Sequence, residues 1–261
     1  MRDDQLLGPL GLFRPASSGG FEMIYDLTVQ GAEQVFPFLV ELMTVTQTLK
    51  MVVTPTTEYD QSTEAVNAAQ ALGQLFNHYG SDKAEPHAYH HVYGAVLKRP
   101  QEVKYVLEVG LGTNNEDVAS NMTSNGKPGA SVRSFRDFLP NAQIFGADID
   151  SRILFEEPRL KTYCVDQTKP ETFAQLGQTI GDDVVFDLII DDGLHSPNAN
   201  LATMNFALPK LKVGGYFVVE DIFNHQLPFW NVVDTLLPKE KYKCTLIWAP
   251  QGYMYLVQRL R

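Results

Sequence analysis

The sequence predicts an α/β protein built on a seven-stranded, mostly parallel sheet with one antiparallel strand, plus an N-terminal helical extension. Three observations predict it. From Tyr105 onward, short apolar β-runs alternate with helical segments, the pattern of a parallel sheet with crossover helices. These runs end in acids: Glu108, Asp148 with Asp150, Asp166, Asp191 with Asp192, and Glu220 with Asp221. In a parallel sheet such ends share one edge, and ligands sit outside it. Finally, Cys244–Trp248 and Tyr253–Val257 are joined by Ala249-Pro250-Gln251-Gly252, too short for a crossover helix, so the pair is an antiparallel hairpin.

Residues 1–20 are rich in Gly, Pro and Ser and read as a loose arm. They lack a basic stretch followed by an apolar run, so no secretory leader is expected and a cytoplasmic location is. Residues 21–53 are strongly apolar and read as helix, with Pro37 as a break or first-turn residue. The longest apolar run, Val35–Val45, is interrupted by Pro37 and Glu41 and is too short to span a bilayer. So much apolar surface suits a lid over a substrate or a contact with another chain; a helix packed on its own domain is the other reading. The expected division is residues 1–60 as arm and helical lid or oligomerisation region, and 61–261 as the main domain, in a homodimer or larger homo-oligomer.

Thr54–Thr57 is a break. Ser62–Tyr79 is a helix with Ala65, Val66, Ala69, Leu72, Leu75 and Phe76 on one face and Ser62 near its N-cap. Gly80–Lys83 is a turn, and His87–Leu97 a second helix. Of its histidines only His87 and His91 stand four apart, and no HExxH is present, so solvated or capping roles are expected rather than a metal. The strand Tyr105–Val109 runs into Gly110-Leu111-Gly112, where glycine lets the backbone turn sharply beside a ligand. A polar loop, Asn114–Gly129, is a candidate lid. Then come helix Ser131–Leu139, strand Gln143–Asp150, strand Leu160–Gln167, helix Pro170–Ile180, strand Phe186–Gly193 and helix Pro197–Leu211. A turn at Gly214-Gly215, strand Tyr216–Asp221 and helix Phe229–Leu237 precede the hairpin. The sum is a Rossmann-like sheet covered by helices on both faces.

A net charge of −10 disfavours a nucleic-acid partner. The two cysteines, Cys164 and Cys244, offer neither a disulfide framework nor zinc spacing and read as small core residues. No membrane partner is expected; a small hydroxylated molecule is.

The acids carry the chemistry. Asp148, closing the second strand of the alternating region, is placed to accept bonds from ribose hydroxyls. The dinucleotide fingerprint G-x-G-x-x-G is not met, because Asn115 stands where its third glycine would be. That argues against a nicotinamide cofactor and for a nucleoside without phosphates. Asp192 can converge with Glu220 and Asp221, since neighbouring strands lie about 5 Å apart. Oxygen ligands suit a hard cation such as Mg²⁺. His195, three residues past Asp192, is the candidate general base for an acceptor hydroxyl.

The order of these motifs resembles that of the class I S-adenosyl-L-methionine-dependent methyltransferases. It is most similar to the magnesium-dependent O-methyltransferases of sugars and polyketides in natural-product (antibiotic) biosynthesis, the mycinamicin O-methyltransferase type. It also resembles the cephalosporin-hydroxylase-like group. The resemblance rests on Gly80-Ser81-Asp82-Lys83 with His87, Tyr89 and Tyr93, then LEVGLG, GASVRSFRDFLPNAQIFGADID, VDQ, IIDDGLH and GGYFVVEDI, and covers about residues 78–223. It implies that 61–261 is a methyltransferase domain and that Glu108, Gly110 and Gly112 line the cofactor pocket. By the same resemblance Asp148 holds the ribose, Asp166 and Gln167 flank the adenine, and Ser131 and Asp191 lie close by. Lys83, His87 and Tyr89 cover the cofactor, Asp192, Glu220 and Asp221 hold the metal, and His195 with Asp192 is catalytic. One departure is IFNHQLPFW after Glu220-Asp221, where the family more often has a threonine-serine-tyrosine run; His225, Phe229 and Trp230 would then shape a different acceptor pocket. Fold does not fix function, so a non-methylating, hydroxylase-like catalyst and an assembly subunit are the alternatives.

Overall fold

In the computed structural model, which describes residues 21–48, 50–181 and 183–261, strand order explains how the acids meet. The strands are β1 (Val53–Pro55), β2 (Tyr105–Val109), β3 (Gln143–Asp148), β4 (Glu156–Glu157), β5 (Leu160–Cys164), β6 (Phe186–Asp191), β7 (Leu211–Ile222), β8 (Tyr242–Ala249) and β9 (Gly252–Arg259). They form a single sheet in the order β1-β8-β9-β7-β6-β2-β3-β5-β4. After the edge strand β1 the chain enters the middle of the sheet at β2, steps outward through β3 and β5, then returns to β6 and β7 on the other side. That reversal beside β2 is the switch point at which α/β sheets bind ligands.

The sheet has nine strands, not the seven expected. The two extra ones, β1 and β4, are edge strands of three and two residues, too short to show periodicity. Pro55, which reads as a break, ends β1, where a missing donor is tolerated. Strand β9 runs antiparallel to both β7 and β8, and β4 is antiparallel to β5, so the reversed strands are two. Strand β7 begins at Leu211, five residues before the expected start. Gly214 and Gly215 lie inside it, beside a register shift against β6, rather than in a separate turn.

Strand β6 is buried along its whole length, which is why it reads as an unbroken apolar run. With Val106, Leu107, Ile144 and Phe217 it forms the centre of the core. Helices α2 (Thr63–Tyr79), α3 (His90–Val96), α4 (Ala130–Phe138), α5 (Pro170–Ile180) and α6 (Pro197–Lys210) complete this part. Helix α2 is capped by the Ser62 hydroxyl and stopped by Gly80 at φ 78°. Helix α3 starts at His90, not His87, because Ala88 takes a positive φ of 59° and interrupts the helical turn. Cys164 is exposed and Cys244 half-buried, not core residues: β5 lies next to the short edge strand β4, which leaves the end of β5 open.

The chain divides into two compact units. One is Met51–Leu227 with Leu237–Arg261, holding the whole sheet. The other comprises the described residues up to Lys50 and Pro228–Leu236. Its main element is the helix α1 (Phe21–Val45), which runs through Pro37 without ending there. Phe36 of α1 meets Phe229 of α7 (Leu227–Leu236), with ring centroids 5.9 Å apart. Helix α1 leaves Phe38, Leu42 and Val45 exposed. The proposed arm, 1–20, lies outside the described residues. No described helix is long and apolar enough to cross a membrane.

Candidate active site

A cleft of about 390 Å³ opens at the carboxyl ends of β2, β3, β5 and β6. Gly110 and Gly112 form its floor, both at positive φ (99° and 72°). A Cβ at Gly110 would collide with the backbone of Asp192, so only glycine lets the β2 turn pass that close to the β6 end. Asp148 closes the next wall. Its Oδ2 accepts the Leu111 N–H at 2.8 Å and its Oδ1 the Asp150 N–H at 2.9 Å, which ties the glycine turn to β3. Ile149, Val165, Asp166 and Thr168 line the far end. Met122, in the loop between β2 and α4, packs over Gly112, and Val118, Ser120, Asn125 and Lys127 of the same loop face the cleft.

Lys83, Ser131, Gln167, Asp192, His195 and Asp221 also line the cleft. Five other residues expected at the site do not: His87, Tyr89, Glu108, Asp191 and Glu220. Each is engaged elsewhere. Asp191 is fully buried and accepts the Gln167 amide at 2.7 Å and the Asn200 amide at 3.0 Å. Gln167 also donates to Thr203 at 2.8 Å and accepts the Leu194 N–H at 2.8 Å, so its amide braces the turn after β6. Glu108 is fully buried, accepts the Ser131 hydroxyl at 2.7 Å, and lies 3.1 Å from Lys83 Nζ.

Lys83 is the hub. Its ammonium, 2% exposed, lies 2.6 Å from Asp192 and 2.5 Å from Glu220 as well as against Glu108. Burial alone would lower its pKa, but Asp192, Glu220 and Glu108 outweigh that and hold it well above the usual lysine value. Desolvation pushes the carboxyls of Glu220, Asp192 and Glu108 upward, and the ammonium opposes the shift. Tyr93 donates to the second oxygen of Glu220. Lys83, His87 and Tyr89, the residues expected to cover the cofactor, contact acids at the strand ends, and Lys83 also lines the cleft.

The acids divide into two groups. Glu220, 1% exposed, belongs with Lys83 and Tyr93. Asp192, His195 and Asp221 form the second group, with one potential ligand atom from each lying within 4.8 Å of the others. Among the described residues no other His, Cys, Asp and Glu side chains converge in this way, and His87, His90 and His91 do not. His195 Nε2 is 3.7 Å from Asp221 Oδ2, while its Nδ1 is buried without a hydrogen-bond partner. Both residues adopt left-handed backbone conformations, φ 54° at His195 and 53° at Asp221. Such strain gathers where a structure must aim functional groups. Four carboxylates, Glu108, Asp192, Glu220 and Asp221, gather here, and the one lysine among them, Lys83, contacts the first three. That negative surplus and the convergent oxygens fit a divalent cation, with Asp192 and Asp221 supplying carboxylates and water or substrate oxygens the remaining positions.

Of the residues placed near the acceptor, His225 is exposed, and Phe229 and the buried Trp230 both lie in the other compact unit. Phe223, not foreseen, is 48% exposed and stacks on His225 at 6.0 Å and 5°. Its position two residues past Asp221 is the only sequence feature that pointed to it.

No protein-family model matches the chain. It is 30% identical over 161 residues to the 8-demethyl-8-alpha-L-rhamnosyl tetracenomycin-C 2'-O-methyltransferase of Streptomyces olivaceus, a match taking in 61% of this chain and 39% of that protein. It is 34% identical over 131 residues to the mycinamicin VI 2''-O-methyltransferase of Micromonospora griseorubida, over 50% of this chain and 30% of that one. The chain thus spans well under half the length of the curated relatives it matches. The structure matches the MycE methyltransferase from the mycinamycin biosynthetic pathway, solved in complex with Mg and SAH, with a TM-score of 0.58 and 22% identity over 73% of this chain and 55% of that one. This chain has the class I methyltransferase fold and resembles sugar O-methyltransferases in sequence.

Proposed function

We propose that this chain is an S-adenosyl-L-methionine-dependent O-methyltransferase that uses a divalent cation, Mg²⁺ or a similar ion, and methylates a hydroxyl of a natural-product sugar or polyketide. The observation that carries the reading is the convergence of Asp192, His195 and Asp221 at the mouth of a nucleoside-sized cleft in this fold. The curated relatives named above act on sugar hydroxyls by their names, and one solved neighbour holds Mg and SAH.

Asp148 and the Gly110–Gly112 turn would receive the nucleoside half of the methyl donor, with Asp166 beside the base. The donor supplies a methyl group on a sulfonium, and a cation held by Asp192 and Asp221 would polarise the acceptor hydroxyl and lower its pKa. His195 takes the hydroxyl proton at Nε2, and Asp221 at 3.7 Å stabilises the imidazolium that forms. A carbon–oxygen bond forms as the donor's carbon–sulfur bond breaks, releasing S-adenosylhomocysteine. The chain's main contribution is alignment of the two reactants and exclusion of water. The loop Asn114–Gly129 folds over the glycine turn and serves as the lid. The exposed apolar face of α1 supports self-association, which light scattering would read directly.

Calorimetric titration with S-adenosylhomocysteine, in Mg²⁺ and in EDTA, tests the reading. Binding in both, with methyl transfer to a hydroxylated glycoside lost only in EDTA, is the expected result. No binding in either condition removes the methyltransferase reading.

A further inference from the structure

We infer that Tyr89 is a positioning residue for the cation site: it fixes Asp221 so that one carboxylate oxygen is left to the metal. The inference rests on the proposed cation-assisted reading. It starts from a local irregularity in β7. Pairing with β9 shifts register between Val219 and Ile222, so Glu220 and Asp221 lie in a bulge. A bulge re-aims side chains that a regular strand would send to opposite faces. Here it comes with a left-handed backbone at Asp221, φ 53°. That conformation is disfavoured for a residue with a Cβ, so something must hold it.

Tyr89 is the group in place to do so. Its hydroxyl donates to Asp221 Oδ1 at 2.6 Å and accepts the Asp221 backbone N–H at 3.4 Å. One oxygen atom thus grips both the carboxylate and the backbone of the strained residue. The tyrosine is itself 1% exposed, so the ring has little room to move. The His87 ring lies against it at 4.9 Å, and His87 Nδ1 is 3.5 Å from the same Oδ1. Oδ1 is therefore committed to the segment before α3, and Oδ2 is the oxygen left facing His195. Tyr93, one helical turn beyond Tyr89, does the corresponding job for Glu220, which Lys83 already holds. Two tyrosines four residues apart thus sort two consecutive acids, one into the buried ion-pair network and one toward the cleft.

The test compares Tyr89→Phe and Tyr93→Phe with the wild type by three measurements: Mg²⁺ affinity by calorimetry at saturating S-adenosylhomocysteine, S-adenosylhomocysteine affinity in EDTA, and Tm. Loss of a residue that orients a metal ligand weakens metal binding by about 10–100-fold. Tyr89→Phe is expected to show that loss of Mg²⁺ affinity while keeping wild-type S-adenosylhomocysteine affinity in EDTA. Tyr93→Phe is expected to lower Tm with little change in Mg²⁺ affinity. Wild-type Mg²⁺ affinity in Tyr89→Phe, or equal losses in the two variants, overturns the positioning role and leaves the proposed function standing. A wild type that binds S-adenosylhomocysteine but no Mg²⁺ overturns the cation reading and this inference with it.

Discussion

Lys83 Nζ lies 2.6 Å from Oδ2 of Asp192, so a buried ammonium touches a carboxylate of the proposed cation site. The same ammonium neutralises Glu108 and Glu220. Removing it would leave Glu108 and Glu220 buried, and Asp192 half-buried, with no cation among them. Breaking a buried ion pair by deleting one partner costs about 3–5 kcal/mol, because the remaining charge is neither solvated nor paired. Lys83→Met is therefore expected to lose at least that much stability in urea denaturation. Added Mg²⁺ should restore part of it, since a divalent cation can take over some of the neutralisation. Wild-type stability in the variant would mean that the acids are protonated or hydrated without Lys83.

The two glycines of the β2 turn should not be equally replaceable. Both have positive φ, so alanine is strained at either position. At Gly110 the new methyl group runs into the carbonyl of Asp192, a backbone atom that cannot move without pulling the β6 turn. At Gly112 it meets only the side chain of Met122. Gly110→Ala is expected to abolish S-adenosylhomocysteine binding and to lower Tm sharply. Gly112→Ala should weaken binding less, and adding Met122→Ala should recover part of the loss. Equal defects in the two single variants, with no recovery in the double, would contradict this account.

What the sequence disclosed and what it hid follow from the range of the interactions. The central strands were legible because burial on both faces writes a continuous apolar run, as in β6. The strand-end acids were legible because a carboxylate closing such a run needs a reason. The edge strands β1 and β4 were not, since three and two residues carry no period. The sorting of the acids was also hidden. Lys83 and Glu220 are 137 residues apart, and Tyr89 and Asp221 are 132 apart, so no local pattern links them. The i,i+4 spacing of Tyr89 and Tyr93 beside a pair of adjacent acids was the one available clue. The bonds of Gln167 were hidden for a related reason: it lines the cleft, and its amide reaches Asp191, Thr203 and Leu194, all distant in sequence.

His195 gives the most direct test of the proposed proton transfer. It does not contact the floor of the cleft at Gly110 or Asp148 through any hydrogen bond among the described residues, so donor binding should survive its loss. A positioned general base contributes about 10²–10⁴-fold to rate. His195→Ala is expected to lower kcat by that factor, on any acceptor the wild type methylates, with S-adenosylhomocysteine affinity retained. Undiminished kcat would assign the proton to water or another group.

A histidine outside the cation site should control acid stability. Burial, with a further contribution from neighbouring His91 at a ring distance of 4.1 Å, pushes His90 from 6.5 down to about 4. The unfolded chain then takes up a proton near pH 6.5, while the folded chain resists until about pH 4. Between these values the unfolded state binds more protons, so stability is complete above the upper one and falls as pH drops toward the lower. Below about pH 4 both states are protonated at His90 and its contribution no longer changes. His90→Gln removes this titration while keeping a polar side chain of similar reach beside Gly73. His91, also lowered by burial, stays in the variant and continues to contribute. Urea midpoints measured across this pH window should therefore decline less steeply in His90→Gln than in the wild type. Parallel declines would show that the folded protein accepts a proton on His90 without strain.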